Sequence, residues 1–455
     1  MKYLLLTIIV FSNINGYCQF GPQQIISTTA NYPVNVYVAD IDGDGKKDIL
    51  SVARVDNNIA WYKNIDGQGN FGLLNLIAFL DEAKSVFAAD LDGDNDMDVL
   101  ATSSSLNLVV WYENLDGQGN FSTQKVISNQ AVGAFSAIAA DIDGDGDMDL
   151  VIAYDGDGLI WFENLDGQGD FRGRVIDNTI AGARSVVAVD MDGDGDLDVL
   201  GNGTGSNKIF WIENMDGLGT FGTLHIINDL GSYSNVIFAA DVDGDGDMDV
   251  FSASPGDNEV AWYENLDGLG NFGPKNSITN TLDSTWTVYA EDLDNDGDID
   301  VLATSVEVFG GEIVWFENMD GTGNFSAKRI ISTEVQSPRS VIAADIDNDG
   351  DMDVISSSQN DDKIAWYENF TILGVGENEI DTFKIYPNPT KDVLNIKKQA
   401  GIVTTSIILY DTFGRILFET EDELSQINLG NYNSGIYYLK LTTMFGEQTF
   451  KVVKE

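Results

Sequence analysis

One acidic motif recurs seven times along the chain, beginning at Asp40, Asp90, Asp141, Asp190, Asp241, Asp292 and Asp345, at intervals of 49 to 53 residues. A second motif keeps step with it. One copy is Trp111-Tyr112-Glu113-Asn114-Leu115-Asp116-Gly117-Gln118-Gly119-Asn120-Phe121, and its tryptophan returns as Trp61, Trp161, Trp211, Trp262, Trp315 and Trp366. A period of this length means that each unit is one supersecondary element whose apolar face is covered by its neighbours. Within a unit the pattern is strand throughout: residues 136–142, 149–154, 159–164 and 123–128 are short β-rich runs, and none carries a helical period. Four short strands repeated seven times predict an all-β fold, a seven-bladed β-propeller. The limits of the repeat favour a closed ring over an open solenoid. The seventh unit stops at Trp366-Tyr367-Glu368-Asn369 without a fourth strand, and an orphan fourth-strand sequence, Phe20-Gly21-Pro22-Gln23-Gln24-Ile25-Ile26-Ser27, precedes the first unit.

Each acidic motif reads Asp-x-Asp-x-Asp-Gly-x-x-Asp or a near variant, as in Asp141-Ile142-Asp143-Gly144-Asp145-Gly146-Asp147-Met148-Asp149. Alternate carboxylates converge on one centre only if the backbone coils tightly, and glycine at the sixth position permits that turn. Carboxylates one, three, five and nine, with a backbone carbonyl at seven, make an all-oxygen cage for a hard cation; its flexibility and ligand number favour calcium. The candidate ligands are Asp40, Asp42, Asp44 and Asp48 in the first loop, Asp90, Asp92, Asp94 and Asp98 in the second, and Asp141, Asp143, Asp145 and Asp149 in the third. The fourth and fifth offer Asp190, Asp192, Asp194, Asp198, Asp241, Asp243, Asp245 and Asp249, and the last two Asp292, Asp294, Asp296, Asp300, Asp345, Asp347, Asp349 and Asp353. Up to seven calcium ions are expected, one per loop. The start of the loop is like an EF-hand, but the glutamate at position twelve is missing and Asp149 opens a strand, so the loop joins strands and not helices. Copies differ: the first carries Lys46 and Lys47, the second has Asn95 at position six, and the last two have Asn295 and Asn348 at position four. Asparagine tolerates the left-handed conformation, so the second loop stays a candidate.

These loops hold 34 of the 74 acidic residues, set against 24 basic ones, and explain much of a formal net charge of −50. Charge of that sign excludes nucleic-acid binding through a basic surface and disfavours an anionic membrane. Residues 1–18 read as a secretory signal, with Lys2, an apolar run over 3–11 and the small-x-small sequence Gly16-Tyr17-Cys18. Cleavage there removes the single cysteine, so cations stand in for the disulfides an exported fold often uses. No other segment reaches the ~18 apolar residues of a membrane span.

On its two motifs, residues 20–370 resemble the FG-GAP or VCBS-type repeat propellers, which are related to the integrin α-subunit head. The resemblance implies calcium bound in the Asp-rich loop between the first two strands of each blade. The expected organisation is a signal at 1–18, the propeller at 19–370, a linker at 371–379 and a small C-terminal β-sandwich at 380–455. The tail is nearly neutral, with 11 acids against 8 bases over residues 377–455. Its order of Tyr386-Pro387-Asn388-Pro389, Leu394-Asn395-Ile396, Gly414-Arg415, Gly435-Ile436-Tyr437 and a basic end at Lys451 and Lys454 resembles the type A sorting domain of type IX secretion. That implies the type IX machinery as a partner and delivery outside a Gram-negative cell, released or surface-attached.

Chemistry is scarce. His225 is the single histidine and sits in a strand, where a structural role is expected, and the mature chain has no cysteine nucleophile. Carboxylate pairs repeated seven times read as architecture. The seven tryptophans read as packing between blades, and Asp116–Asn120 as a hairpin loop. One position breaks the repeat. Six residues before each loop stand Val34, Lys84, Phe135, Arg184, Asn235, Trp286 and Arg339. They start the innermost strand at the end opposite the acidic loops and ring one face near the axis, where propellers bind partners. Lys84, Phe135, Arg184, Trp286 and Arg339 are the candidate ligand-face residues, and the strand connection at 306–312 is the longest on that face. The expected function is a secreted or cell-surface binding or adhesion module for a polysaccharide or protein; the alternative is an extracellular polysaccharide lyase or hydrolase.

Overall fold

Each repeat folds as one antiparallel sheet, offset from the repeat by a single strand. In chain order, β1 (Gln24–Ser27) is followed by β2 (Pro33–Ala39), β3 (Asp48–Ala53), β4 (Asn58–Tyr62) and β5 (Asn75–Phe79), and β2 to β5 form the first sheet in sequential order. In this computed structural model the described residues are 19–371 and 383–454, apart from 157, 230–232, 308–309, 399–403, 412–414, 421–423 and 444–445. The signal expected at 1–18 and most of the linker expected at 371–379 lie outside them. The described residues divide into two compact units at 373/374.

Seven four-stranded sheets make up the first unit. All six residues of β3 and all five of β4 are buried, because neighbouring sheets cover both faces; β5 is largely exposed at the outer rim. The innermost strands pack in cyclic succession, β2 against Ala83–Ala89, that strand against Ala134–Ala140, and so on until Pro338–Ala344 packs back against β2. The ring closes as the sequence implied: β1 pairs with Lys363–Tyr367 and completes the sheet of Pro338–Ala344 and Asp353–Ser358. Phe20 extends the closure by bridging Asn369, is 3 % exposed, and meets Trp315 edge-on at 6.1 Å. One boundary differs from expectation. The innermost strand of the third sheet runs Ala134–Ala140 and not to residue 142, because the first loop aspartate already turns its carboxylate onto the following N–H groups.

Between sheets, the expected packing role of the tryptophans holds. Trp61, Trp111, Trp161, Trp211, Trp262 and Trp366 each lie under the second glycine of the next sheet's hairpin loop; a Cβ on Gly219 (φ +77°) would come within 2.1 Å of Trp161. That contact is why the loop spends a glycine there. His225 stacks on Trp211 with ring centroids 4.6 Å apart, a structural placement at the outer rim.

In the second unit, Phe383–Tyr386, Val393–Lys398 and Gln426–Asn428 form one sheet. Ile416–Thr420, Thr404–Asp411, Gly435–Thr443 and Gly446–Lys454 form the other. Leu394 and Ile427 from the first share a core with Ile407, Leu409, Leu439 and Val452 from the second, which makes the unit a small β-sandwich. No described helix is long and apolar enough to cross a membrane.

Candidate functional site: acidic loops and an axial pit

The acidic loops coil around their own first carboxylate. Asp141 accepts from the N–H of Asp145 at 3.1 Å and of Gly146 at 3.0 Å, and the equivalent bonds recur at Asp40 and Asp90. Asn95 adopts φ +70°, the left-handed conformation expected of it, and Asn295 and Asn348 do the same at position four. The coil brings carboxylate oxygens to within 4.8 Å of one another in the trios Asp40-Asp42-Asp48, Asp90-Asp92-Asp94, Asp141-Asp143-Asp145, Asp190-Asp192-Asp194 and Asp241-Asp243-Asp249.

Two features bear on cation binding. At position three, one oxygen of Asp42, Asp92, Asp143, Asp192, Asp243 and Asp294 is buried without any hydrogen-bond partner. A buried, unpaired carboxylate oxygen is costly unless a cation meets it. Burial, then the neighbouring aspartates, raise the acids of Asp92, Asp294 and Asp347 to about 6. An all-oxygen set of this kind fits a hard metal ion.

At position nine the aspartate has a second role that its spacing alone does not reveal. Asp48, Asp98, Asp149, Asp198, Asp249, Asp300 and Asp353 are almost wholly buried. One oxygen of each accepts the position-two N–H of its own loop at 3.0–3.3 Å. The other accepts the N–H of the asparagine after the tryptophan motif's acid, at 2.7–2.8 Å. That asparagine's side chain donates in turn to the position-two carbonyl of the preceding sheet's loop at 2.7–3.0 Å. Each loop is thus latched to the next sheet, and whatever orders a loop stiffens the ring. Burial is the largest cause that raises Asp149 to about 6, Asp98 to about 7 and Asp300 and Asp353 to about 8, against the two backbone donors.

The first loop departs from the others. Lys63 replaces the glutamate found at Glu113, Glu163, Glu213, Glu264, Glu317 and Glu368, and its ammonium pairs with Asp42 and, at 3.0 Å, with Asp44; Lys46 adds a pair to Asp44 at 2.9 Å. The substitution is visible in the sequence as the one Trp-Tyr-Lys-Asn among seven copies. Its reach into the loop is not.

At the opposite end of the innermost strands, Val34, Lys84, Phe135, Arg184, Asn235, Trp286 and Arg339 all line one axial pit of about 470 Å³. Spacing alone brings these seven to a single wall because each sits at the same point of its sheet. Tyr32 and Arg54 join them from turns that carry no repeat signal. Arg339 stacks on Trp286 at 3.8 Å and Arg184 on Phe135 at 4.7 Å, while Glu82 pairs with both Arg54 and Lys84. In the long connection at 306–312, paired strands extend to Glu307 and from Gly310, and residues 308–309 lie outside the described set.

Comparison with known proteins agrees with this architecture. Among solved structures, BBS1N in complex with ARL6DN is similar with a TM-score of 0.53 at 10 % identity, over 78 % of this chain and 97 % of that one. A catalytically inactive virginiamycin B lyase from Staphylococcus aureus, solved with quinupristin, gives 0.51 at 12 % identity, over 76 % and 99 %. At such identities the likeness is one of fold. A curated relative, ulvan lyase NLR42 of Nonlabens ulvanivorans, is 25 % identical over 134 residues, 28 % of this chain and only 23 % of the relative. Residues 384–455 match the secretion system C-terminal sorting domain, which directs the chain through type IX secretion to the cell surface or the extracellular space and makes that machinery a partner. The FG-GAP-like repeat matches over 40–101, 90–152, 141–201, 190–252, 241–303 and 304–356, and with these six copies covering most of the propeller the chain belongs to the FG-GAP-like repeat family.

Proposed function

We propose that the exported propeller is a non-catalytic binding module, with calcium in its acidic loops as scaffold and a polysaccharide as the ligand of its axial pit. The observation that carries this reading is the pit itself. A strand position that varies widely in size and charge from repeat to repeat supplies seven residues to one concave wall, as expected where a scaffold is shared and a ligand is read by its exceptions. The partial similarity to a polysaccharide lyase supports a saccharide ligand. Support for binding over hydrolysis comes from the lining, which among the described residues contains no aspartate, glutamate or histidine, whereas a glycosidase of the usual kind needs two carboxylates across the scissile bond. Six loops take calcium in this reading; in the first, the Lys63 ammonium neutralises the carboxylates in its place.

The test is a glycan array probed with the calcium-loaded protein and with a Trp286→Ala, Arg184→Ala double variant. Wild-type protein is expected to retain a subset of glycans and the variant to lose them by about tenfold or more. Retention undiminished in the variant would refute the pit as the site. New reducing ends or unsaturated products released from bound glycans would favour the enzyme alternative.

A further inference from the structure

We propose that the axial pit recognises an anionic group, a carboxylate or sulfate borne on the polysaccharide; this rests on the polysaccharide-binding reading above and narrows it to acidic chains. In a protein with 74 acidic and 24 basic residues, the pit is lined by Arg54, Lys84, Arg184 and Arg339 and, among the described residues, by no carboxylate. Chance distribution of charge gives the opposite. Glu82 is shared by Arg54 and Lys84 and so offsets only one of them.

Arg184 and Arg339 have no carboxylate within 4.0 Å among the described residues. Arg184 donates one bond, from Nη1 to Asn235 Oδ1 at 3.3 Å, while its Nε is buried without a partner. Arg339 has both Nε and Nη1 buried and unpaired. Unpaired charged donors are costly to bury, and stable folds keep them where a ligand completes them. Burial also draws Lys84 and Arg339 below their ordinary basicity. The guanidinium carbons of Arg184 and Arg339 lie 4.7 Å and 3.8 Å from the ring centres of Phe135 and Trp286, so each ring holds its arginine at the wall. A guanidinium carries a fork of N–H donors whose geometry matches two oxygens of a carboxylate or sulfate. Ser136, Ser185 and Ser340, each next in sequence to a wall residue, line the same pit and offer hydroxyls to neighbouring sugar oxygens. A formal net charge of −50 disfavours non-specific attraction of a polyanion to the surface as a whole.

The mature, calcium-loaded chain is titrated calorimetrically with dextran sulfate, hyaluronan and uncharged dextran. Dextran sulfate or hyaluronan is expected to bind and dextran not. Arg184→Gln combined with Arg339→Gln should weaken the interaction by about tenfold or more without moving the melting transition. If that variant does not melt like the wild type, Arg184→Lys with Arg339→Lys keeps the charge but loses the forked donors, and an affinity several-fold below wild type is expected. Equal binding of dextran, or of uncharged array glycans, with the arginine variants unaffected would overturn the anionic inference and leave the polysaccharide reading standing. Binding of polyglutamate but of no polysaccharide, lost in the arginine variants, would do the reverse.

Discussion

Stripping divalent cations from the protein is expected to lower its melting temperature by roughly 20 °C, and added calcium to restore it. Six loops held at a hundredfold excess of ion over Kd contribute about 2.7 kcal/mol each. At about 2.1 cal/mol/K of unfolding entropy per residue over the propeller, that sum corresponds to a shift of this size. The cause is local: without an ion, the buried third-position oxygens of loops such as Asp92 and Asp143 have no partner, and the aspartates around them repel. The pH dependence gives a second signature. In the stripped protein the ninth-position acids titrate at about 6 to about 8 when folded, against about 4 unfolded. The folded state therefore holds more protons across that window. The stability these groups contribute is fully present below about pH 4 and is lost as the pH rises through about 8. With calcium present, protons compete with the ion and acidification destabilises instead. Melting curves at about pH 5.5 and about pH 8, stripped and calcium-loaded, should thus shift in opposite directions. A melting temperature indifferent to calcium at both pH values would exclude the loops as cation sites.

Removing residues 19–30 is expected to abolish the single cooperative unfolding transition. The deletion takes away β1, the outer strand of the closing sheet, and leaves Lys363–Tyr367 as an unpaired edge. It also removes Phe20 from its contact with Trp315 and the fully buried Ala30 from the core between the first and last sheets. Burial of a phenylalanine alone stabilises by about 2 to 3 kcal/mol. The larger loss is topological: an open ring becomes an array of sheets coupled only to neighbours, whose ends fray independently. Calorimetry of the deletion variant should show a broadened, lower transition; an unchanged one would contradict closure through the N-terminal strand.

Much of this was legible in the sequence because it is repeated. The interval between Asp40 and its six successors sets the number of sheets, the orphan run at Phe20–Ser27 the closure, and the sixth position before each loop the residues that meet in the pit. What escaped has no period or acts across sheets. Tyr32 and Arg54 reach the pit from turns whose backbone recurs in other sheets but whose residue types do not. The asparagine latch, such as Asn114 to the carbonyl of Ile41, joins residues 73 apart, which no local pattern announces. Lys63 was visible as an odd residue, but only its ion pairs with Asp42 and Asp44 show that it reaches into the first loop.

That lysine also provides the most direct test of the cation-scaffold account, a count of calcium ions retained per chain by native mass spectrometry. Six are expected for the wild type, with the loop beginning at Asp40 vacant, and Lys63→Glu, which restores the residue found at the other six positions, should approach a seventh. A wild-type chain that retains no calcium would contradict the account.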